Sequence, residues 1–564
     1  MQRFGSWAAL GLLLAATLVG AATLDRRSWP GLVGDEATYL MQAQSLAWDH
    51  DLRYSRRDYD RFVEQWGTRP EGLILQSGDG GRTLNYGKPA SYAFWIAPFL
   101  RLSPTRGAAI ANAFLLALAA IAAARVLERR IGPAAPLWVA VWIFASVAFA
   151  YVFWAHSDVF LMSLTALALA LAYGASGEET RLRTALRWLA VGGLLSLVTL
   201  SRPFYGLLFI PAVFAIPSGQ RKAAFSALVL AAGALVALSL FTNLAEADAW
   251  TPYGGERQSF DSHTGFPEVE LSTASWQAQI AAHGSRSWKP ADEFDVRQSA
   301  WNVFYFLAGR HVGVLPYFLP LLLGLAAFRR GEGRGMLILA TLVACAGLLI
   351  ARPFNFYGGG GAIANRYFLP LYPAFWFAAG RPARASWALL AAVLAAPFLW
   401  PLWTQPRAFF LDENGGYRYV SEAARRLLPY ETTQSHLKPS GREDFVHNGL
   451  WIKPLTTSLR AEEDGARIRL DRPGRGQILL GSPRPLDGIR LVLLPPAPPR
   501  IEISGAESVT SLPRPRGGTV RLLHFPHPRA VHRMWWTRDP VYLYQLGLEV
   551  EGANGGASFV IQPL

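Results

Sequence analysis

The stretch "LGLLLAATLVGAATL", Leu10–Leu24, decides the class of fold. It is almost unbroken Ala, Leu, Val and Gly, and it belongs to an apolar block over 5–24. A helix needs about 20 apolar residues to cross the hydrocarbon of a bilayer, somewhat fewer where flanking side chains snorkel. Similar blocks recur up to about residue 404, so eleven spans are expected, at 5–24, 107–125, 134–154, 160–174, 186–200, 204–217, 223–243, 312–328, 336–351, 367–380 and 385–403. The first block lacks a small-residue cleavage site followed by a soluble domain, so it is expected to be a retained helix. Composition agrees. Of 564 residues 51% are hydrophobic and 17% charged, against about 25% charged in ordinary soluble proteins. The expected fold class is a polytopic α-helical membrane protein.

The formal net charge of +14 raises the question of a nucleic-acid partner, and its distribution answers it. With the N-terminus cytoplasmic, the short inner segments carry 14 basic residues against 4 acidic ones. The outer loops to residue 404 hold 19 basic and 20 acidic residues, and the tail 21 and 16. Short cytoplasmic loops attract Lys and Arg in this way. Most of the excess is therefore a topology signal, and no nucleic acid is expected as a partner. Only five of the 54 basic residues are Lys (Lys88, Lys222, Lys289, Lys438 and Lys453), a bias that suggests a high-GC bacterial genome. The expected location is the bacterial cytoplasmic (inner) membrane. The single Cys345 offers neither an intrachain disulfide nor a thiolate zinc site, and is expected to be a small buried hydrophobe.

The expected domains are 1–404, a membrane domain with outer loops 25–106 and 244–311, and 405–564, an extracytoplasmic β-rich domain. In the latter, "QILLGSPRPLDGIRLVLLPPAPPRIEISG", "GTVRLLHF", "VYLYQLGLEV" and "ASFVIQPL" read as short strands between turns, the pattern of a sandwich. A short helix is expected before them over Tyr417–Leu428. The spans show no internal repeat of the kind that marks inverted-repeat transporters.

Ionisable residues at span ends mark the candidate chemistry. Asp35 and Glu36 open an amphipathic helical pattern, where the helix dipole favours carboxylates. A hairpin signal around Gly78-Asp79-Gly80-Gly81 leads to Tyr86-Gly87-Lys88-Pro89 and an apolar segment too short to span. A Lys in so Arg-rich a chain suits a point charge for phosphate. His156 and Asp158 sit in a short outer turn, where Asp158 could equally be an N-cap. Arg202 lies in a tight outer turn, and His311, Arg352 and Arg366 flank later spans, the last two around the four glycines at 358–361. Asp49-His50-Asp51 imitates a metal-binding Asp-x-Asp, which makes Asp49 and Asp51 candidate ligands of a divalent cation; a solvated loop is the simpler account. Acids and several cations at headgroup height suit a substrate with a lipid tail and a phosphate. A soluble nucleotide-sugar donor would call for a cytoplasmic dinucleotide-type fold, and no G-x-G-x-x-G follows a strand.

"GDEATYL" after the first span, "YGKP" before a short apolar helix and "HSDVFLM" entering the fourth span resemble the GT-C glycosyltransferases. These include the protein O-mannosyltransferases and the aminoarabinose transferases of lipid A. The resemblance covers about residues 1–380 in order and topology. It implies transfer of a sugar from a polyprenyl-phosphate-linked donor to a lipid, polysaccharide or protein acceptor on the extracytoplasmic face, with inversion. It implies a general base at Asp35, or at Glu36 by a one-residue ambiguity, and a second acidic position at Asp158. Lys88, with Arg202 and Arg366, would hold the lipid phosphate. The C-terminal sandwich departs from the helical ends of some members, so no acceptor is carried over; its Trp535-Trp536 pair would stack on sugars or fill a core. Two other classes stay open: a lipid-linked-sugar flippase, and a non-catalytic membrane scaffold that displays a glycan-binding sandwich.

Overall fold

The computed structural model describes residues 2–24, 32–175, 179–248, 250, 256–261, 265–269, 296–353, 355–359, 362, 364–407, 420–428 and 431. In the C-terminal part it describes 445–447, 450–454, 459–462, 467–470, 474–482, 485–495, 500–513, 519–525, 528, 530–533, 540–551 and 557–564. Trp535, Trp536, Gly360, Gly361 and the start of the helix expected over 417–428 lie outside the described residues.

Six helices among the described residues are long and apolar enough to cross a membrane: Gln2–Ala22, Gly107–Ile131, Arg181–Ser201, Ser218–Ala245, Arg334–Ala351 and Ala385–Thr404. The chain is a multi-pass membrane protein. The remaining expected spans are broken or short. Ala135–Phe144 and Val147–Phe153 meet at a bend of 65°. Ser157–Tyr173 and Pro203–Phe214 are shorter apolar helices. The blocks at 312–328 and 367–380 contain only Val314–Tyr317, Leu321–Ala326 and Pro373–Ala378 as α-helix. Pro316, Pro320, Pro370 and Pro373 lie in those blocks, and proline removes a helix donor and clashes with the preceding turn. A count of apolar residues does not register that.

The first helices are α1 (Gln2–Ala22), α2 (Asp35–Gln44), α3 (Arg56–Trp66), α4 (Ser91–Leu102), α5 (Gly107–Ile131), α6 (Ala135–Phe144), α7 (Ser157–Tyr173) and α8 (Arg181–Ser201). Close approach of α8 to the helix Arg221–Ala247 depends on Gly192, where a Cβ would stand 2.6 Å from the Leu228 carbonyl oxygen. Small residues permit such crossings inside a bilayer. The interior is rich in tryptophan. Trp142 stacks on Trp376 with ring centroids 5.9 Å apart, and its Nε1 donates to the Pro320 carbonyl at 2.8 Å. The buried indole N–H thus finds its partner.

Outside the long helices, β1 (Leu32–Val33) pairs in parallel with β2 (Pro70–Glu71), and β3 (Leu73–Ser77) lies antiparallel between β4 (Asn85–Tyr86) and β5 (Glu256–Phe260). These small sheets anchor the starts of α2 and α4.

Among the described residues the C-terminal part forms two six-stranded sheets, whose pairings are antiparallel. Ile489, Leu491 and Leu493 alternate along one strand, and Ile478, Leu480, Leu546 and Leu548 come from the other sheet; all seven are buried in one core. A period of two puts Ile489, Leu491 and Leu493 on one face of the strand, and Val492 is buried on the other. Val420 and Ala424 instead pack into the helical core.

Candidate functional site: a buried acid–base network

Two helix starts converge. Gly34, with φ +61, turns the chain into α2 while its N–H donates to the Glu71 carbonyl at 2.7 Å. The left-handed backbone suits glycine. Thr38, one turn into α2, accepts from the Ile74 N–H at 3.0 Å. On the other side the Gly87 N–H donates to the Ile74 carbonyl at 3.0 Å, and the Gln42 amide donates to the Lys88 carbonyl at 3.1 Å. A Cβ on Gly87 would lie 3.0 Å from both Ile74 Cγ2 and Arg257 Nε, so the chain passes Ile74 closely just before Lys88. Asp35 and Lys88 are thereby fixed to one sheet, and Asp35 Oδ1 stands 2.5 Å from Lys88 Nζ.

The second half comes from the turn before α7. His156 Nε2 lies 2.9 Å from Asp35 Oδ2, and its Nδ1 lies 2.8 Å from Asp158 Oδ2. The Nδ1 contact lacks the alignment of a hydrogen bond. Trp154 stacks on the imidazole at 4.3 Å between centroids, and Tyr39 of α2 meets it edge-on at 5.3 Å. Tyr39 Oη also shares a 3.2 Å hydrogen bond with Ser157 Oγ. The ring is locked on three sides.

Arg366 closes the network. Its Nη1 donates to His156 Nε2 at 2.8 Å, and its Nη2 lies 3.4 Å from Asp35 Oδ2 and donates to the Gly358 carbonyl. Its guanidinium lies 5.2 Å from the Trp154 ring centroid, a cation–π distance. Nε2 of His156 carries either a lone pair or a proton. It therefore accepts from Arg366 in one protonation state and donates to Asp35 in the other. Arg202 approaches Asp158 Oδ1 at 3.6 Å, donates to Tyr205 Oη at 3.1 Å and covers the Tyr367 ring at 3.6 Å.

Burial would raise the pKa of Asp35, yet Lys88 above all, with His156 and Arg366, holds it well below the usual carboxylate range. Burial pulls the Lys88 ammonium down, while Asp35 opposes that shift. The Asp158 carboxylate is fully covered, whereas Asp35 keeps 20% of its side chain exposed. Asp35 is thus the acid that a substrate can reach. With His156 neutral, Lys88, Arg202 and Arg366 carry three positive charges against the two of Asp35 and Asp158, an excess suited to an anion.

Among the described residues the other sequence candidates make no ion pair with Asp35 or Asp158, although Arg352 acts on the charge state of Tyr367 beside Arg202 and Arg366. Glu36 is buried and accepts from the Ala155 N–H at 3.3 Å, so it pins the turn that carries His156. Tyr86 meets Tyr54 edge-on at 6.2 Å. Among the described residues the ion pairs of Asp35 and Asp158 are with Lys88, His156, Arg202 and Arg366, and involve neither His311 nor Arg352. His311 Nδ1 instead meets Glu431 Oε2 at 2.8 Å. Asp49 pairs with Arg57 at 3.2 Å and with Arg61, and Asp51 Oδ1 accepts from Ser45 Oγ at 2.7 Å and from the Arg53 N–H at 3.1 Å. Both carboxylates have partners in the protein itself, and the described residues contain no cluster of three or more His, Cys, Asp or Glu arranged for a metal ion. Trp154 and Glu431 carry no sequence signal of their own, and Tyr39 only as part of "GDEATYL"; their roles come from contacts across the fold.

No protein-family model matches the sequence, and no curated protein matches it. Among solved structures the chain is similar to ArnT from Cupriavidus metallidurans bound to undecaprenyl phosphate, at 15% identity and a TM-score of 0.40, over 72% of this chain and 69% of that one. It is similar to the same protein in the apo state at 15% identity and a TM-score of 0.41, over 71% of this chain and 67% of that one. The arabinosyltransferase EmbB from Mycobacterium smegmatis is similar at 9% identity and a TM-score of 0.33, over 99% of this chain and 64% of that one.

Proposed function

We propose that the protein is an extracytoplasmic membrane glycosyltransferase that takes a sugar from a polyprenyl-phosphate donor. The observation that carries this reading is the convergence of Lys88, Arg366, His156 and Asp35 at one point, reached from α2, the loop before α4, the turn before α7 and the segment after Gly358–Gly359. In the topology read from the basic loops, all four lie at the outer ends of the helices.

The reaction follows from the roles these groups can fill. The acceptor hydroxyl oxygen attacks the anomeric carbon opposite the phosphate, and the new C–O bond forms as the bond to phosphate breaks. The electron pair leaves on the polyprenyl-phosphate oxygen, whose added charge Lys88 and Arg366 stabilise. The hydroxyl proton passes to Asp35. In the free protein Asp35 is a weak base because Lys88 and Arg366 face it. A phosphate that draws these cations to itself raises the proton affinity of Asp35 at the moment a base is needed. The acceptor follows no residue identified in the site; a lipid, a glycan or a protein hydroxyl would satisfy the chemistry.

The test is transfer of labelled sugar from polyprenyl-phosphate monosaccharides by the protein reconstituted in liposomes with cell-envelope acceptors. Wild type should transfer and Asp35→Asn should not, while remaining folded near neutral pH. Full transfer by Asp35→Asn would remove Asp35 as the base.

A further inference from the structure

The network described above does not use one buried charge that sits close behind it. Glu431 lies beyond the last long helix, and its side chain is fully covered. Its Oε1 accepts from the His311 N–H at 2.6 Å and the Val312 N–H at 3.0 Å, while Oε2 meets His311 Nδ1 at 2.8 Å. Gly309 makes room for it, since a Cβ there would stand 2.4 Å from Oε1. A second strap runs beside the first: Arg310 Nε and Nη2 donate to the Leu428 carbonyl at 3.3 and 3.1 Å. A carboxylate is buried only where such partners compensate the loss of water.

The clamped peptide is hydrogen-bonded to the segment that carries Arg366. The His311 carbonyl accepts from the Ala364 N–H at 2.6 Å. Ala364 has φ +58, a left-handed backbone that a residue with a Cβ keeps only where its surroundings enforce it. Two residues on, the Arg366 N–H donates to the Tyr357 carbonyl at 3.1 Å and its side chain reaches His156 and Asp35. The links run without a gap from Glu431 through the 311 peptide to Ala364 and Arg366.

We infer that Glu431 is a positioning residue for Arg366, so that the C-terminal segment sets the geometry of the phosphate-facing guanidinium. The inference rests on the proposed function for its ligand, an undecaprenyl-phosphate headgroup, but not for its mechanical part. When Glu431 is removed, the 311–312 turn loses its clamp, Ala364 relaxes from its left-handed backbone, and Arg366 no longer points at Asp35.

The experiment uses the full chain in nanodiscs with two measurements. Hydrogen exchange without lipid should show peptides spanning 364–367 exchanging about tenfold faster in Glu431→Ala than in wild type, and close to wild type in Glu431→Gln, whose amide oxygen still accepts both N–H groups. Undecaprenyl-phosphate binding should fall about tenfold in Glu431→Ala, recover in Glu431→Gln, and fall little further when Arg366→Ala is added to Glu431→Ala. Unchanged exchange at 364–367 would overturn the inference, as would losses that multiply in the double variant. Wild type that binds no undecaprenyl phosphate would count against the proposed function alone, and the exchange result would still decide the clamp. If Glu431→Ala does not fold, Glu431→Asp decides in its place, since a carboxylate shortened by one methylene should give intermediate exchange and binding, and wild-type values for both would overturn the inference.

Discussion

Lys88 Nζ stands 2.5 Å from Asp35 Oδ1, and this contact puts the most accessible acid of the network under a cation that a phosphate would claim. If the proposed function holds, Lys88→Ala should weaken polyprenyl-phosphate binding by about tenfold or more, the scale of a charge-assisted hydrogen bond. Lys88→Arg should keep part of it. Lipid titration of the purified protein checks both, and equal affinity in Lys88→Ala would detach this lysine from the phosphate.

The adjacent acids should separate cleanly. Glu36→Gln keeps an oxygen for the Ala155 N–H and should retain most transfer activity. Asp35→Asn, which cannot take a proton from a hydroxyl, should lose at least about a thousandfold, near the upper part of the range for general-base removal. Initial rates at saturating donor distinguish them; the reverse order would move the base to Glu36.

The depressed pKa of Asp35 has a sign that can be followed in pH. A carboxyl that binds its proton less readily folded than unfolded contributes stability that is full above the unfolded value, about 3.9, and is lost as pH falls through the folded value. The difference in melting temperature between wild type and Asp35→Asn should therefore be constant from about pH 7 to pH 5. It should close only well below the ordinary carboxylate range. Thermal unfolding in detergent across pH measures it, and a gap that closes near pH 6 would contradict the ion-pair geometry.

Arg366 makes several directed contacts, to His156, Asp35 and Gly358, and a lysine cannot reproduce the fork. Arg366→Lys should preserve the charge yet reduce kcat/KM by about tenfold or more. Retention of wild-type kinetics would mean that charge alone suffices.

Asp158 is buried between His156, Arg202 and Arg366. Asp158→Ala leaves those cations unmatched and should destabilise the protein by about 3–5 kcal/mol. A thermal shift of only a degree or two would assign Asp158 a smaller structural share.

Much of this organisation is legible in the chain. The blocks at 5–24, 107–125, 186–200, 223–243, 336–351 and 385–403 became long apolar helices because unbroken hydrophobicity over that length leaves a helix few alternatives. The blocks at 312–328 and 367–380 instead form short helices beside Pro316, Pro320, Pro370 and Pro373, whereas Ala385–Thr404 runs on through Pro397 and Pro401, so a hydropathy window registers neither outcome. The stretch "GIRLVLL" read as a short strand between turns, and a strand is there.

The candidate site divides along the same line. Residue type and place in the topology were enough to single out Asp35, Lys88, His156, Asp158, Arg202 and Arg366, since ionisable side chains at span ends are costly and few. Contact was not legible. Arg366 and Asp35 are 331 positions apart and meet at 3.4 Å because the fold brings the segment after Gly358–Gly359 onto the start of α2. His311 carries the same sequence signal as His156 yet turns to Glu431. Glu36 carries the same charge as its neighbour, but the helix rotates it onto the 155 backbone. Composition and periodicity act through solvent and local backbone, so the sequence by itself determined the class of fold. Which of two adjacent acids faces the cations depends on helix phase and on packing between distant segments, and only the tertiary structure decided that.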